Sequence, residues 1–287
     1  MENKPPSSDT QHAGRLKIYF LPNLLTAGNL FCGFVALTLI VEADLTPDVN
    51  GLVNWWPIKF ALACILMACI FDLFDGRVAR MGGHESPFGR EFDSLADLIS
   101  FGAAPAFLVH RVVLREVFKD YSELGWFIAS IYLICGAFRL ARFNCLSAMN
   151  LPGAGKDFLG FPIPSAAGLV ASLTLFIIKL NEKDKNLGHW GYLLPVVLVF
   201  LSAMMVSEVR YPSFKSLGLR STTTFLKFIF AALFAGSMVV LRERILYYVL
   251  PLFFTAYLVY GFVRPRLSRA WRKEIEDDED EGGEAGN

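Results

Sequence analysis

The stretch Phe71 to Ser100, FDLFDGRVARMGGHESPFGREFDSLADLIS, decides how the rest of the chain is read. It carries four aspartates, Asp72, Asp75, Asp93 and Asp97, at or near the ends of two long apolar runs. Between them lies a short turn, roughly residues 81–89, with Gly82, Gly83 and Pro87. If both runs are helices, Asp72 and Asp75 lie one turn apart on the first, and Asp93 and Asp97 one turn apart on the second, so each pair shares a face. The short turn makes the helices antiparallel neighbours. At about 1.5 Å per residue, Asp75 stands ~9 Å before the turn and Asp93 and Asp97 ~6 and ~12 Å after it, so the carboxylates fall at similar depth. Bare carboxylates that close repel by about 4 kcal/mol per pair at an effective dielectric near ~20. Divalent cations are the natural source of compensating charge, and the stretch therefore predicts a metal site.

Working outward, the 287 residues are 54% hydrophobic with a mean hydropathy of +0.44, which excludes an ordinary soluble enzyme. The excess lies in runs at about 18–41, 57–80, 93–113, 126–142, 164–180, 190–206, 224–241 and 246–263, each close to the length that a ~30 Å hydrocarbon layer requires. The expected fold is an all-α, polytopic transmembrane bundle of about eight spanning helices. A polar leader over 1–14 is expected to be disordered. A catalytic helical core over 15–180 follows, then additional membrane helices over 181–263 and a basic, then acidic, tail over 264–287. No cleavable signal peptide is apparent, because the first apolar run is long and follows the polar leader.

Orientation follows from the basic residues. With both termini inside, eighteen of the 27 Lys and Arg fall at inner ends and loops, among them Arg77, Arg80, Arg90, Arg139 and Arg142. The other nine, including Lys59, Arg111 and Lys179, are matched by nine acids outside. The aspartates then face the cytoplasm from the inner membrane. The net charge of zero is a cancellation, produced largely by eight acids in the tail, and nothing in it points to nucleic acid. The five cysteines are odd in number and lack C-x-x-C spacing, so they read as small core residues. His12, His84, His110 and His189 make no metal spacing.

Several polar residues surround the acidic stretch. In LPNLLTAGNLFCGF, Asn23, Thr26 and Asn29 recur at three-residue steps and so share a face near the inner end of the first span. That face either makes interhelical hydrogen bonds or binds a polar ligand beside the aspartates. Gly76 removes a side chain where a bulky anion would approach, and Arg80 offers a guanidinium suited to pyrophosphate. Alternatively, Arg77, Arg80 and Arg90 form a structural ion network with the aspartates, although intramembrane charge on this scale tends to mark a working site. Gly102 and Pro105 read as packing and kink positions. Arg139 and Arg142, one turn apart in AFRLARFN, are either snorkelling arginines or part of the pocket.

Asp72 to Asp97 spell D-x-x-D-G-x-x-A-R, eight residues, then G-x-x-x-D-x-x-x-D, with Gly89 as the second glycine. This resembles the signature of the CDP-alcohol phosphatidyltransferases, membrane enzymes that displace CMP from a CDP-linked lipid with an alcohol. The flanking runs LPNLLTAGNLFCGF, FGREFDSLADLISFGAAPA, AFRLARFN and GFPIP are similar to its CDP-diacylglycerol–serine O-phosphatidyltransferase branch, and the resemblance covers about residues 22–168. It implies one divalent ion on Asp72, Asp75 and Asp93 and a second on Asp72, Asp93 and Asp97, Mg²⁺ or Mn²⁺, with Asp97 also the base. Gly76, Arg80 and Ser86 would contact the phosphates of CDP-diacylglycerol, and Asn23 and Thr26 would lie near the nucleotide. Arg139 and Arg142 would join the polar pocket, one of them holding the carboxylate of L-serine. A homodimer in the bilayer is also implied. The near rival keeps this chemistry with glycerol 3-phosphate, inositol or another acceptor. A transporter would instead spread its carboxylates through the membrane depth.

Overall fold

The structure, a computed structural model, describes residues 20–49, 51–82, 86–149, 157–181, 191–212 and 248–260. The polar leader, the span expected at 224–241, His84 and the charged tail lie outside the described residues. Among the described residues, the apolar runs fold as helices, the open-chain form that satisfies every backbone amide where lipid offers no hydrogen-bond partner.

Helices α1 (Phe20–Glu42) and α2 (Trp56–Gly82) pack lengthwise as a hairpin. Their connecting loop is built from its own side chains. Asp44 Oδ1 accepts from the Thr46 amide and hydroxyl at 3.0 and 2.7 Å, which holds the Asp44 carboxyl below its ordinary range. Asp48 Oδ1 accepts from the Leu52 amide at 2.8 Å, and Asn54 Oδ1 caps α2 by accepting from the Trp56 amide at 3.1 Å.

The third helix, α3 (Pro87–Val117), begins at a cap that the sequence spells as Ser-Pro. Ser86 sits extended at φ −124° and ψ 151°, its Oγ accepts from the Gly89 amide at 3.0 Å, and Pro87 occupies the first turn, where no amide is needed. The helix therefore starts six residues before the span predicted from hydropathy at 93–113, and its first turns are too polar for a hydropathy window to include. Two π-helical turns interrupt it, at Leu98–Ala103 and His110–Leu114. Pro105 has no amide to offer the Phe101 carbonyl one turn earlier, and the hydroxyl of fully buried Tyr132 donates to that carbonyl instead, at 3.1 Å. The kink expected at Gly102 and Pro105 thus takes the form of a π turn with an outside donor.

Helices α4 (Ser122–Ala148) and α5 (Ile163–Asn181) complete the long set. Two shorter apolar helices, α6 (Leu193–Val206) and α7 (Tyr248–Tyr260), follow. Within the spanning windows, 72% of α3 and 67% of α5 is buried against 28% of α1 and of α2, so α3 and α5 form the centre and α1 and α2 lie at the periphery. Ile58, Leu62, Phe101, Leu108, Tyr132 and Ile163 are buried in the shared core. Among the described residues, five helices are long and apolar enough to cross a membrane, fewer than the eight expected. Helix α6, with 14 residues, falls short of the roughly 20 that a span requires. The helical class has one small departure: β1 (Asp157–Leu159) pairs antiparallel with β2 (Arg210–Pro212), Phe158 opposite Tyr211. Strands of three residues are too short to leave an alternating pattern in the sequence.

Candidate active site

The site is assembled where the C-terminal end of α2 meets the first turns of α3. Asp72 and Asp75 project from α2 and Asp93 from α3, and one carboxylate oxygen of each lies within 4.8 Å of the others. The i, i+3 spacing on α2 and the antiparallel hairpin produce this convergence, as the sequence predicts. At that separation, each pair of charges repels by roughly 3 kcal/mol at an effective dielectric of ~20. Asp93 Oδ1 is buried and has no hydrogen-bond partner. An all-oxygen donor set with an unsatisfied buried acceptor suits a hard divalent cation, so the residues fit the ion that the motif implies.

Asp97 lies one turn further along α3, 7% exposed, and is not part of that trio. Asn29 Nδ2 donates to Asp97 Oδ1 at 3.1 Å, and the Ser100 hydroxyl donates to the Asn29 carbonyl at 2.9 Å. Gly33 permits this approach, since a Cβ there would stand 2.7 Å from the Ser100 Cα. The Asn29 side chain is fully buried, and its Oδ1 has no partner, a situation that costs about 1–3 kcal/mol. Thr26 Oγ1 donates to Asp75 Oδ2 at 3.0 Å, with the Pro22 carbonyl at 3.2 Å as its alternative acceptor. Of the two readings of the α1 polar face, interhelical hydrogen bonding is therefore realised, and its acceptors are the aspartates themselves.

The other expected site residues divide. Asn23 leans over the first turn of α3, where a Cβ on Gly89 would meet Asn23 Oδ1 at 3.3 Å, and its Nδ2 is buried with no partner. Ser86 is buried, and its hydroxyl oxygen caps α3. Gly76 is half-buried directly after Asp75 on α2. Arg80 belongs to the last turns of α2, and its side chain lies outside the described residues. Arg139 is 7% exposed on α4, close enough to the carboxylates of Asp97 and Asp72 to interact with both charges.

Arg142 is placed differently from its neighbour. Its Nη1 donates to the Val206 carbonyl at 2.8 Å, and its Nη2 faces the carbonyls of Leu159, Ser207 and Met205 at 3.0, 3.1 and 3.2 Å. These carbonyls end α6 and flank the ribbon, so the guanidinium acts as a clasp at a helix C-terminus. Gly160, at φ +78°, completes the clasp, because a Cβ there would collide with the Met205 carbonyl. The structure thus brings Arg139, and not Arg142, to the carboxylates. Sequence reasoning also passed over Asn144, whose Nδ2 joins α4 to α3 by donating to Ser94 Oγ at 3.0 Å and Glu91 Oε2 at 3.1 Å.

Comparison with known proteins bears on what this arrangement serves. A family model described as CDP-alcohol phosphatidyltransferase matches residues 19–207. A CDP-diacylglycerol–serine O-phosphatidyltransferase of Helicobacter pylori is 33% identical over 249 residues, 86% of this chain and 91% of the relative. An enzyme of the same name from Bacillus subtilis is 32% identical over 196 residues, 68% of this chain and 92% of the relative. An archaetidylserine synthase of Methanothermobacter thermautotrophicus is 32% identical over 204 residues, 69% of this chain and 72% of the relative.

Proposed function

The chain belongs to the CDP-alcohol phosphatidyltransferase family, and from that premise we propose that it makes phosphatidylserine and CMP from CDP-diacylglycerol and L-serine. It is a multi-pass membrane enzyme, a transferase of a substituted phosphate group. The observation that carries the reading is the convergence of Asp72, Asp75 and Asp93 within 4.8 Å beside a buried Asp97 that attracts a buried arginine.

Asp72, Asp75 and Asp93 would hold a first divalent ion and Asp72, Asp93 and Asp97 a second, Mg²⁺ or Mn²⁺. Such ions supply neutralisation of the diphosphate and of the charge that develops on departing CMP. The chain's own groups do the rest. Asp97 takes the proton of the serine hydroxyl as its oxygen bonds to the phosphorus bearing diacylglycerol. The bond from that phosphorus to the CMP oxygen breaks, and CMP leaves with the electron pair. A serine hydroxyl is a weak nucleophile near neutral pH, so placement of the acceptor supplies much of the acceleration. Arg139 holds the serine carboxylate; with the Arg142 guanidinium engaged by carbonyls, it is the buried arginine among the described residues. Gly76, Arg80 and Ser86 face the phosphates, with Asn23 and Thr26 toward the nucleotide side. A single buried guanidinium suits an acceptor with one carboxylate better than a phosphorylated acceptor, which favours serine over glycerol 3-phosphate. The distribution of basic residues supports a site on the cytoplasmic side of the inner membrane, and a homodimer is the assembly we propose.

A panel assay tests this reading. Purified protein is given CDP-diacylglycerol, Mn²⁺ or Mg²⁺, and radiolabelled serine, glycerol 3-phosphate or inositol in turn. Label is expected in lipid from serine; label from another alcohol and none from serine would replace the acceptor.

A further inference from the structure

Helix α7 comes from a part of the chain that carries none of the motif residues, beyond the residues 19–207 that the family model matches. It runs antiparallel to the stretch that leads into and through α5. Tyr257 lies on Phe161 with ring centroids 5.8 Å apart, Phe254 covers Gly168, where a Cβ would collide with its ring, and Tyr248 meets Phe176 edge-on at 5.7 Å. These three contacts fix the register of α7, and Leu258 is buried beside them. Phe161 is itself held firmly: it is fully buried, and its amide donates to the Met204 carbonyl at 3.0 Å. Two residues on, Ile163 fills the space that a Cβ on Gly136 would need, one turn of α4 before Arg139. The chain at Phe161 is thereby pinned next to the turn of α4 that carries Arg139. Tyr257, seated on Phe161, is close enough to Arg139 for the phenol and the guanidinium to interact electrostatically.

We propose that Tyr257 is a specificity-determining residue of the acceptor subsite, its hydroxyl donating to the carboxylate that Arg139 holds. A guanidinium has donors only, so a hydroxyl beside it turns its oxygen toward the cation and its hydrogen toward an anion held by that same cation. A carboxylate has two oxygens to satisfy, and Arg139 and Tyr257 supply a donor from each of two helices. The phenol adds this donor without a second positive charge, which suits a singly charged carboxylate. An acceptor without an anionic group leaves the pair unmatched and gains nothing from it. Because α7 stands outside the part of the chain that holds the aspartates, it tunes the acceptor and leaves the lipid-nucleotide site untouched. The proposal rests on the reading of Arg139 as the residue that holds the serine carboxylate.

The test uses the full-length protein in lipid nanodiscs with CDP-diacylglycerol and Mn²⁺, and reads CMP release over a range of serine concentrations. Tyr257→Phe removes one oxygen and keeps the ring on Phe161. It is expected to raise KM for serine about tenfold, with kcat within about threefold and KM for CDP-diacylglycerol within about twofold of wild type. Serine amide, whose carboxamide carries no charge, serves as a competing ligand: its inhibition constant should differ by less than about twofold between the two proteins. A purely structural tyrosine would lower the amount of active protein and kcat, and would not move KM for one substrate alone. Tyr257→Met, which keeps the apolar fill, carries the comparison if Tyr257→Phe is not recovered from the membrane. An unchanged KM for serine in these variants, or equal rises for serine and CDP-diacylglycerol, would overturn the proposal. If the wild type puts another alcohol into lipid and none of the serine, the serine reading falls, and the comparison is made with that alcohol. A raised KM for it then keeps Tyr257 in the acceptor subsite, and an unchanged one removes it.

Discussion

At the scale of single residues, the proposed reaction puts its chemistry on Asp97 and Arg139. Asp97→Asn keeps the shape and the Asn29 neighbour but removes the basic oxygen, so serine-dependent CMP release should fall by about 10²-fold or more while the protein remains in the membrane. Near-normal turnover in a membrane fraction carrying that variant would end the assignment of Asp97. Arg139→Lys keeps the charge and loses the planar fork, so KM for serine should rise about tenfold or more, with a smaller change in KM for CDP-diacylglycerol. Equal rises in both constants would place Arg139 outside the serine subsite. The aspartate trio was legible because i, i+3 and i, i+4 spacings map directly onto a helix face. Arg142 was not. Its spacing is the same as that of any arginine one turn from another, and three of its four carbonyl partners lie 63 to 65 residues further along the chain.

At the scale of elements, the clasp and the π turns decide how firmly the site is held. Arg142 ties the C-terminal part of α4 to the end of α6 and to the ribbon, and those bonds are charge-assisted. Arg142→Ala should destabilise the protein by about 2–4 kcal/mol, seen as a lower Tm in detergent, with Mn²⁺ affinity within about twofold of wild type. A loss of Mn²⁺ binding with unchanged Tm would put Arg142 back among the site residues. The helices themselves were legible from apolar length, and the start of α3 from its Ser-Pro cap and following glycine. The π turns were hidden, because one residue's change of register leaves the apolar pattern nearly intact. Their locations depend on partners from other helices, such as the Tyr132 hydroxyl on the Phe101 carbonyl.

For the molecule as a whole, the bundle gathers three acidic side chains where α2 meets α3, with α3 and α5 the most buried of the long helices and α1 and α2 the most exposed. Hydropathy gave the class and the order of the long helices. Of the eight runs it marks, five are long spanning helices among the described residues, the run at 190–206 holds a helix of only 14 residues, and the run at 224–241 lies outside the described residues. In the proposed mechanism the clustered carboxylates function only with divalent ions between them. The direct measurement is CMP release from CDP-diacylglycerol by the purified protein with serine, before chelation, in excess EDTA, and after Mn²⁺ is restored. Release matched by serine entering lipid, abolished by EDTA and recovered with Mn²⁺, is the predicted result; release that continues at the same rate in excess EDTA would contradict it.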